Sequence, residues 1–209
     1  YDELFIRHWS SWETPGNYSR IFAFDITNGK LSGNGIALDG DLVGDSPSKP
    51  FGGGEEITWM PDGKAVVFAL RKADRDEPKS TDLDLYGTDA TGGKPNPMPH
   101  NGDGTDNLPA FAPNDSTFAW ASMERPGYES DRMVLKTMTK REEGQPRKPA
   151  TLLTKDWDRS VGSIAWTPNS QAVVVTAQDV LDHPAFQVDA TSGKITRLTG
   201  EGNVGATIP

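Results

Sequence analysis

Ile57-Thr58-Trp59-Met60-Pro61-Asp62-Gly63-Lys64, running into Ala65-Val66-Val67-Phe68-Ala69, decides the fold because the same phrase returns twice. Pro109-Ala110-Phe111-Ala112-Pro113-Asn114-Asp115-Ser116 leads into Thr117-Phe118-Ala119-Trp120-Ala121. Ile164-Ala165-Trp166-Thr167-Pro168-Asn169-Ser170-Gln171 leads into Ala172-Val173-Val174-Val175-Thr176. The aromatics Trp59, Phe111 and Trp166 are 52 and 55 residues apart. In each copy an aromatic ends one strand and Pro presets φ for the first turn position. Asp-Gly, Asn-Asp or Asn-Ser then accepts the turn geometry. The run that follows is nearly all apolar, as in a strand buried on both faces.

A second phrase lies between these. Phe22-Ala23-Phe24-Asp25 precedes Thr27-Asn28-Gly29-Lys30; Leu85-Tyr86-Gly87-Thr88-Asp89 precedes Thr91-Gly92-Gly93-Lys94; Phe186-Gln187-Val188-Asp189 precedes Thr191-Ser192-Gly193-Lys194. Strand, Asp, Gly-containing turn and strand make a hairpin. Ala150 to Thr154 and Ile195 to Thr199 read as short outer strands. A period of about 50 residues thus holds four hairpin-linked strands, a β-propeller blade. A plain β-sandwich has no reason to repeat two turn signals in one order. The fold class is all-β. The inner strands are expected at Glu56–Trp59, Leu108–Phe111 and Ser163–Trp166, with blade parts at 1–54, 55–106, 107–160 and 161–202 and a new start at 203–209. Leu4–Arg7, Arg20–Ile26 and Lys30–Ile36 read as strands of an earlier blade. About three complete blades plus partial ones either close a four-bladed ring or form the arc of a larger propeller.

Composition agrees: 22 Gly and 16 Pro among 209 residues suit short strands and many turns. With 34% apolar residues the chain can bury a core. The net charge of −9 disfavours nucleic acid and anionic membrane as partners. The lack of Cys removes disulfides, Cys-ligated zinc and thiol nucleophiles. No run approaches a membrane span of about 18 apolar residues. A first residue Tyr1 in place of Met points to a processed start or a piece of a longer protein, with a periplasmic or secreted location expected ahead of a cytoplasmic one. Asp39–Gly54, Lys72–Ser80, Pro95–Asn107 and Lys140–Pro149 read as surface loops, where function usually sits.

A complete catalytic set is missing. There is no Gly-x-Ser-x-Gly elbow. Of the three histidines, His8 is expected to pack beside Trp9, and His100 and His183 to be solvated. No paired His spacing offers a metal site. Asp103-Gly104-Thr105-Asp106-Asn107 alternates oxygen ligands but lacks the distal Glu of a calcium loop, so a solvated turn is expected. Gly52–Gly54 and Gly92–Gly93 read as turns. No catalytic residue, metal or cofactor is expected.

Several segments taken in order carry a resemblance. They are Arg7-His8-Trp9-Ser10-Ser11-Trp12 with Ser19-Arg20-Ile21-Phe22, Trp59 to Lys64, and Ser80-Thr81-Asp82-Leu83-Asp84-Leu85-Tyr86. Glu124-Arg125-Pro126-Gly127-Tyr128-Glu129-Ser130-Asp131-Arg132 and Trp157-Asp158-Arg159-Ser160-Val161 complete the set. Together they resemble the N-terminal propeller of prolyl-oligopeptidase-family serine peptidases, on the dipeptidyl-peptidase V-like and acylaminoacyl-peptidase-like branch. The Pro-Asp-Gly-Lys turns are common to many propellers; the Glu124–Arg132 and Trp157–Val161 runs are more specific. The resemblance implies a seven-bladed propeller stacked on an α/β-hydrolase domain that carries the nucleophile, acid and base. That favours the arc, with the hydrolase domain absent from this chain.

The implied role is to cap the active site, admit short peptides and hold a free amino terminus through acidic side chains. Carboxylates suit an ammonium ion. The candidate substrate-binding residues are Glu124, Glu129 and Asp131, with Tyr128 as a hydrogen-bond partner; a local role pairs Glu124-Arg125 with Asp131-Arg132 inside one loop. Arg7, Trp9 and Trp12 are candidates for the central pocket, or packing residues. Trp157-Asp158-Arg159 reads first as a latch between blades. The implied partners are the hydrolase domain of the same protein and short peptides. The alternative is a stand-alone propeller that binds a protein or ligand and cuts nothing.

Overall fold

The computed structural model describes residues 6–7, 11–12, 14, 16–99, 102–142 and 144–205. Among them the chain forms strands and two one-turn 3-10 helices, with no α-helix. β1 (Ile6–Arg7) pairs with β2 (Ser11–Trp12), and β3 (Phe22–Thr27) with β4 (Lys30–Ala37). Three antiparallel blades follow. The first holds β5 (Gly44–Asp45), β6 (Ile57–Trp59), β7 (Ala65–Lys72), β8 (Asp84–Asp89) and β9 (Asn96–Pro97). The second runs in order β10 (Asp106–Phe111), β11 (Thr117–Ser122), β12 (Val134–Thr139) and β13 (Thr151–Leu152). The third runs β14 (Ser163–Trp166), β15 (Ala172–Thr176), β16 (Ala185–Asp189) and β17 (Ile195–Arg197). Among the described residues the arc does not close, and β3–β4 stands as a two-stranded sheet.

The repeated turns are superimposable in their bonding. Met60, Ala112 and Thr167 each donate their N–H across the turn, to the carbonyls of Ala65, Thr117 and Ala172. The side chains of Asp62, Asn114 and Asn169 each accept the N–H two residues on. The corner residue is left-handed in all three: Gly63 (φ 69°), Asp115 (φ 55°) and Ser170 (φ 58°). Gly meets that requirement without strain, and Asp and Ser meet it at some cost. Asn28 and Gly29, both at positive φ, give the β3–β4 hairpin its tight two-residue turn.

A lock not visible in the sequence also repeats. The N–H of Asp106 donates to Leu83 O, that of Val161 to Met133 O and that of Val204 to His183 O. The start of each following blade is thereby tied to the third strand of the blade before it.

Strands alternate their side chains between two interfaces, so an apolar run is buried twice. On β7, Val66, Phe68 and Leu70 pack with Ile21, Leu38 and Tyr86. Val67 and Ala69 face the other way, onto Phe118, Trp120 and Met138 of the second blade. A third cluster joins Leu135 and Val161 to Val173, Val175, Phe186 and Val188.

One loop departs from expectation. Asp39–Gly54 is not a plain surface loop: Asp39, Asp45, Ser46 and Ser48 are buried, and Gly44–Asp45 adds a strand to β7. The close approach explains Gly44, where a Cβ would sit 2.1 Å from Arg71 O. Arg20 clamps the Asp39 carboxylate through two nitrogens at 2.6 and 2.7 Å, and Ser19 N–H donates to Asp45 at 2.7 Å.

Candidate functional site

In an up-and-down meander, the β7–β8, β11–β12 and β15–β16 connections share one face with the blade-to-blade connections. The loop after β11, Met123 to Met133, lies on that face and carries most of the candidate residues. Asp131 organises it. One oxygen accepts the N–H groups of Glu124 (2.9 Å) and Arg125 (2.8 Å), and the other accepts Arg125 Nε (3.0 Å). The Arg125 guanidinium lies 4.0 Å from the Tyr128 ring centroid. Partial burial pushes the Asp131 carboxyl up, but the donors from Arg125, Arg132 and Glu124 outweigh it and hold it below the usual carboxylate range.

Asp131 is thus used to build the loop. Glu124 and Glu129 are exposed. Gly127 N–H donates to Thr81 Oγ1 at 3.0 Å, so the loop leans back on the first blade.

The Trp157-Asp158-Arg159 run lies beside it. Trp157 meets Phe186 edge-on at 4.9 Å, and Arg132 donates to the carbonyls of Trp157 and Lys155. Arg159 binds Asp158 and Asp179, both at 2.7 Å. This is a latch between the second and third blades. Trp9 lies outside the described residues, as do His8 and His100, and the side chains of Arg7 and Trp12 are not described. His183 is half-buried, not solvated: its ring nitrogen Nδ1 lies 3.0 Å from Val204 O within the repeated lock.

The Asp103–Asn107 stretch is not a solvated turn either. Asp106 is fully buried, accepting Trp120 Nε1 at 2.7 Å and Gly102 N–H at 2.8 Å. Asn107 donates to Glu56. Both oxygen donors are committed to protein partners. Among the described residues no cluster of three His, Asp or Glu is placed to hold a metal, and no helix is long and apolar enough to cross a membrane.

The inner strands line a concave groove of about 360 Å³. Its wall includes Glu55, Thr58, Leu108, Pro109, Ser163 and Trp166. A bulge between Asn107 and Ala110, with Leu108 at φ 55°, shapes its middle. Bulges of this kind re-aim side chains beside functional sites.

Asp82 sits on the same face as the Met123–Met133 loop. Burial, then the nearby Asp84 charge, raise its carboxyl to about 6. A raised carboxyl binds protons more readily folded than unfolded, so its contribution to stability is lost as pH rises from about 4 to 6. Asp82 is only half-buried, which limits the loss to about 1 kcal/mol. Asp82→Asn is therefore expected to match the parent at pH 4 and exceed it by about 1 kcal/mol at pH 7.5, read by urea denaturation. An equal difference at both pH values would refute the assignment.

No family model matches the chain. Along 94% of its length it is 29% identical to dipeptidyl-peptidase 5 of Porphyromonas gingivalis, over 198 residues. The chain spans 28% of the length of that relative. In fold it is similar to puromycin hydrolase (TM-score 0.61, 14% identity, 88% of this chain and 28% of that one). It is also similar to a putative TolB from Agrobacterium tumefaciens (TM-score 0.59, 14% identity, 91% and 64%). By repeat, fold and sequence similarity together, this chain is a β-propeller segment similar to part of dipeptidyl-peptidase 5.

Proposed function

We propose that the chain is the non-catalytic propeller portion of a serine exopeptidase, a dipeptidyl or acylaminoacyl peptidase. It gates and orients short peptides over an α/β-hydrolase domain that lies outside this sequence. The carrying observation is the similarity to dipeptidyl-peptidase 5 along 94% of the chain. The Met123–Met133 loop supports the same reading. Its shape is fixed internally by Asp131, and the carboxylates of Glu124 and Glu129 are exposed on it. Preorganised carboxylates suit the ammonium of a peptide amino terminus. In this role Glu124 and Glu129 bind, Asp131 and Arg125 position, and Tyr128 supports Arg125.

The test uses the intact protein that contains this chain. It compares a dipeptide amide bearing a free amino terminus with its N-acetylated form. Glu124→Gln combined with Glu129→Gln is expected to raise KM for the free-amine substrate about tenfold, equivalent to about 1.4 kcal/mol. The kcat for that substrate and both constants for the acetylated one should stay unchanged. A KM change shared by both substrates would remove these residues from amine recognition. Absence of any peptidase activity would favour the second reading, a propeller that binds a partner and cuts nothing.

A further inference from the structure

On the face opposite the Met123–Met133 loop, a cleft of about 440 Å³ opens between the first and second blades. Its floor is apolar, built from Val67, Met98, Phe111, Phe118 and Met138. Phe111 and Phe118 are 4.8 Å apart, centroid to centroid, and tilted. One side of the floor is left open by Gly87, in the middle of β8. A Cβ there would lie 3.5 Å from Met98 Sδ and 3.8 Å from Val67 Cγ2, which is ordinary contact. Neither strain nor crowding requires glycine at this position. A glycine inside a strand that nothing structural demands often marks a place where a ligand approaches the backbone.

The rim has the opposite charge to the protein. The chain carries −9 overall, yet Lys94, Lys140, Arg141 and Arg147 line this cleft. Lys140 is neutralised by Asp115 at 2.7 Å. Lys94, Arg141 and Arg147 are exposed and have no ion pair among the described residues, against the single further carboxylate of Asp89. Arg147 reaches over the floor, with a guanidinium nitrogen 3.7 Å from Met138 Sδ. An apolar floor of ligand size under convergent cations is the arrangement that takes an anion with an apolar body.

We propose that this cleft binds a small amphipathic organic anion, an aromatic or aliphatic body ending in a carboxylate. The body rests on Phe111, Phe118 and Met138, and the carboxylate meets Arg147 and Lys94. The site is independent of the peptidase reading and lies on the other face from the loop that carries it.

The methionines provide a built-in control. Met60, Met98 and Met138 line the cleft, Met98 and Met138 at its floor, whereas Met123 and Met133 lie at the ends of the loop on the opposite face. The experiment titrates 4-phenylbutyrate into the intact protein labelled with [methyl-13C]methionine, the signals being assigned by Met→Leu substitution. Met98 and Met138 are expected to shift saturably and Met123 and Met133 to stay in place. The neutral amide, 4-phenylbutyramide, is expected to bind about tenfold more weakly, and Arg147→Ala to weaken the acid by about five- to tenfold. Gly87→Val, which fills the floor, should abolish the shifts. If that variant does not fold, Lys94→Ala and Arg147→Ala, both at exposed positions, still decide. Equal affinity for acid and amide, equal shifts at Met123, or no saturation below about 10 mM would overturn the proposal.

Discussion

Trp120→Ala is expected to remove about 3–5 kcal/mol of stability, enough to abolish most of the folded margin of an ordinary domain. Trp120 is the largest fully buried side chain of the molecule as described. Its ring stacks on Phe118 at 5.7 Å and fills the interface between the first and second blades. Its Nε1–H also satisfies the buried Asp106 carboxylate at 2.7 Å. Trp120→Phe separates the two contributions. It keeps most of the apolar contact and deletes the donor, at an expected cost of about 1–3 kcal/mol. Burial already pushes the Asp106 carboxyl up, against the donors of Ser122, Gly102 and Trp120. Without one donor it rises further, so the cost of Trp120→Phe should shrink as the pH falls and the group takes up a proton. Guanidinium denaturation of the three proteins at pH 4 and pH 7.5 measures both effects. A Trp120→Phe penalty that does not change with pH would show that Asp106 does not depend on the indole.

The turns were legible in the sequence because their causes are local. Pro61, Asp62 and Gly63 determine one corner within four residues, and the copies at Pro113 and Pro168 repeat it. The apolar runs were legible because both faces of β7 and β11 are covered by neighbouring sheets, and one face of β15, through Val173 and Val175, packs on the second blade. The buried carboxylates were not. Asp106 reads as one oxygen among several in a polar stretch, and only its encounter with Trp120, fourteen positions away, gives it a role. The same holds for Asp39, whose guanidinium partner Arg20 is nineteen positions back. Asp131 shows the reverse. The resemblance named it among the substrate-binding candidates, and the donors it accepts belong to its own loop. A carboxylate two to seven residues from several free N–H groups is usually used locally, and that signal separates Asp131 from Glu124 and Glu129.

The second large effect is expected at Glu56, which is 2% exposed at the entrance to β6. One oxygen accepts Ser48 N–H at 2.6 Å; the other accepts Ser48 Oγ–H at 2.7 Å and Asn107 Nδ2–H at 2.9 Å. A single carboxylate therefore ties the Asp39–Gly54 loop, the inner strand of the first blade and the start of the second. Glu56→Ala leaves a buried amide and a buried hydroxyl without their acceptor, and the expected cost is about 3–5 kcal/mol. Glu56→Gln keeps the shape but turns one acceptor into a donor facing donors, at about 2 kcal/mol. Gly52→Ala attacks the same lock without changing charge, because a Cβ at Gly52 would lie 2.4 Å from Ser48 O and 2.6 Å from Glu56 Oε2. If the lock is one unit, Glu56→Ala and Gly52→Ala should not add in the double variant, and both should expose 39–54 to proteolysis before global unfolding. Additive losses, or a loop that stays protected in Glu56→Ala, would show that Arg20–Asp39 and Ser19–Asp45 hold it alone. On the function proposed above, because this loop shares a face with Glu124 and Glu129, its release should also raise KM for peptide substrates in the intact protein, whereas Trp120→Phe should leave KM unchanged.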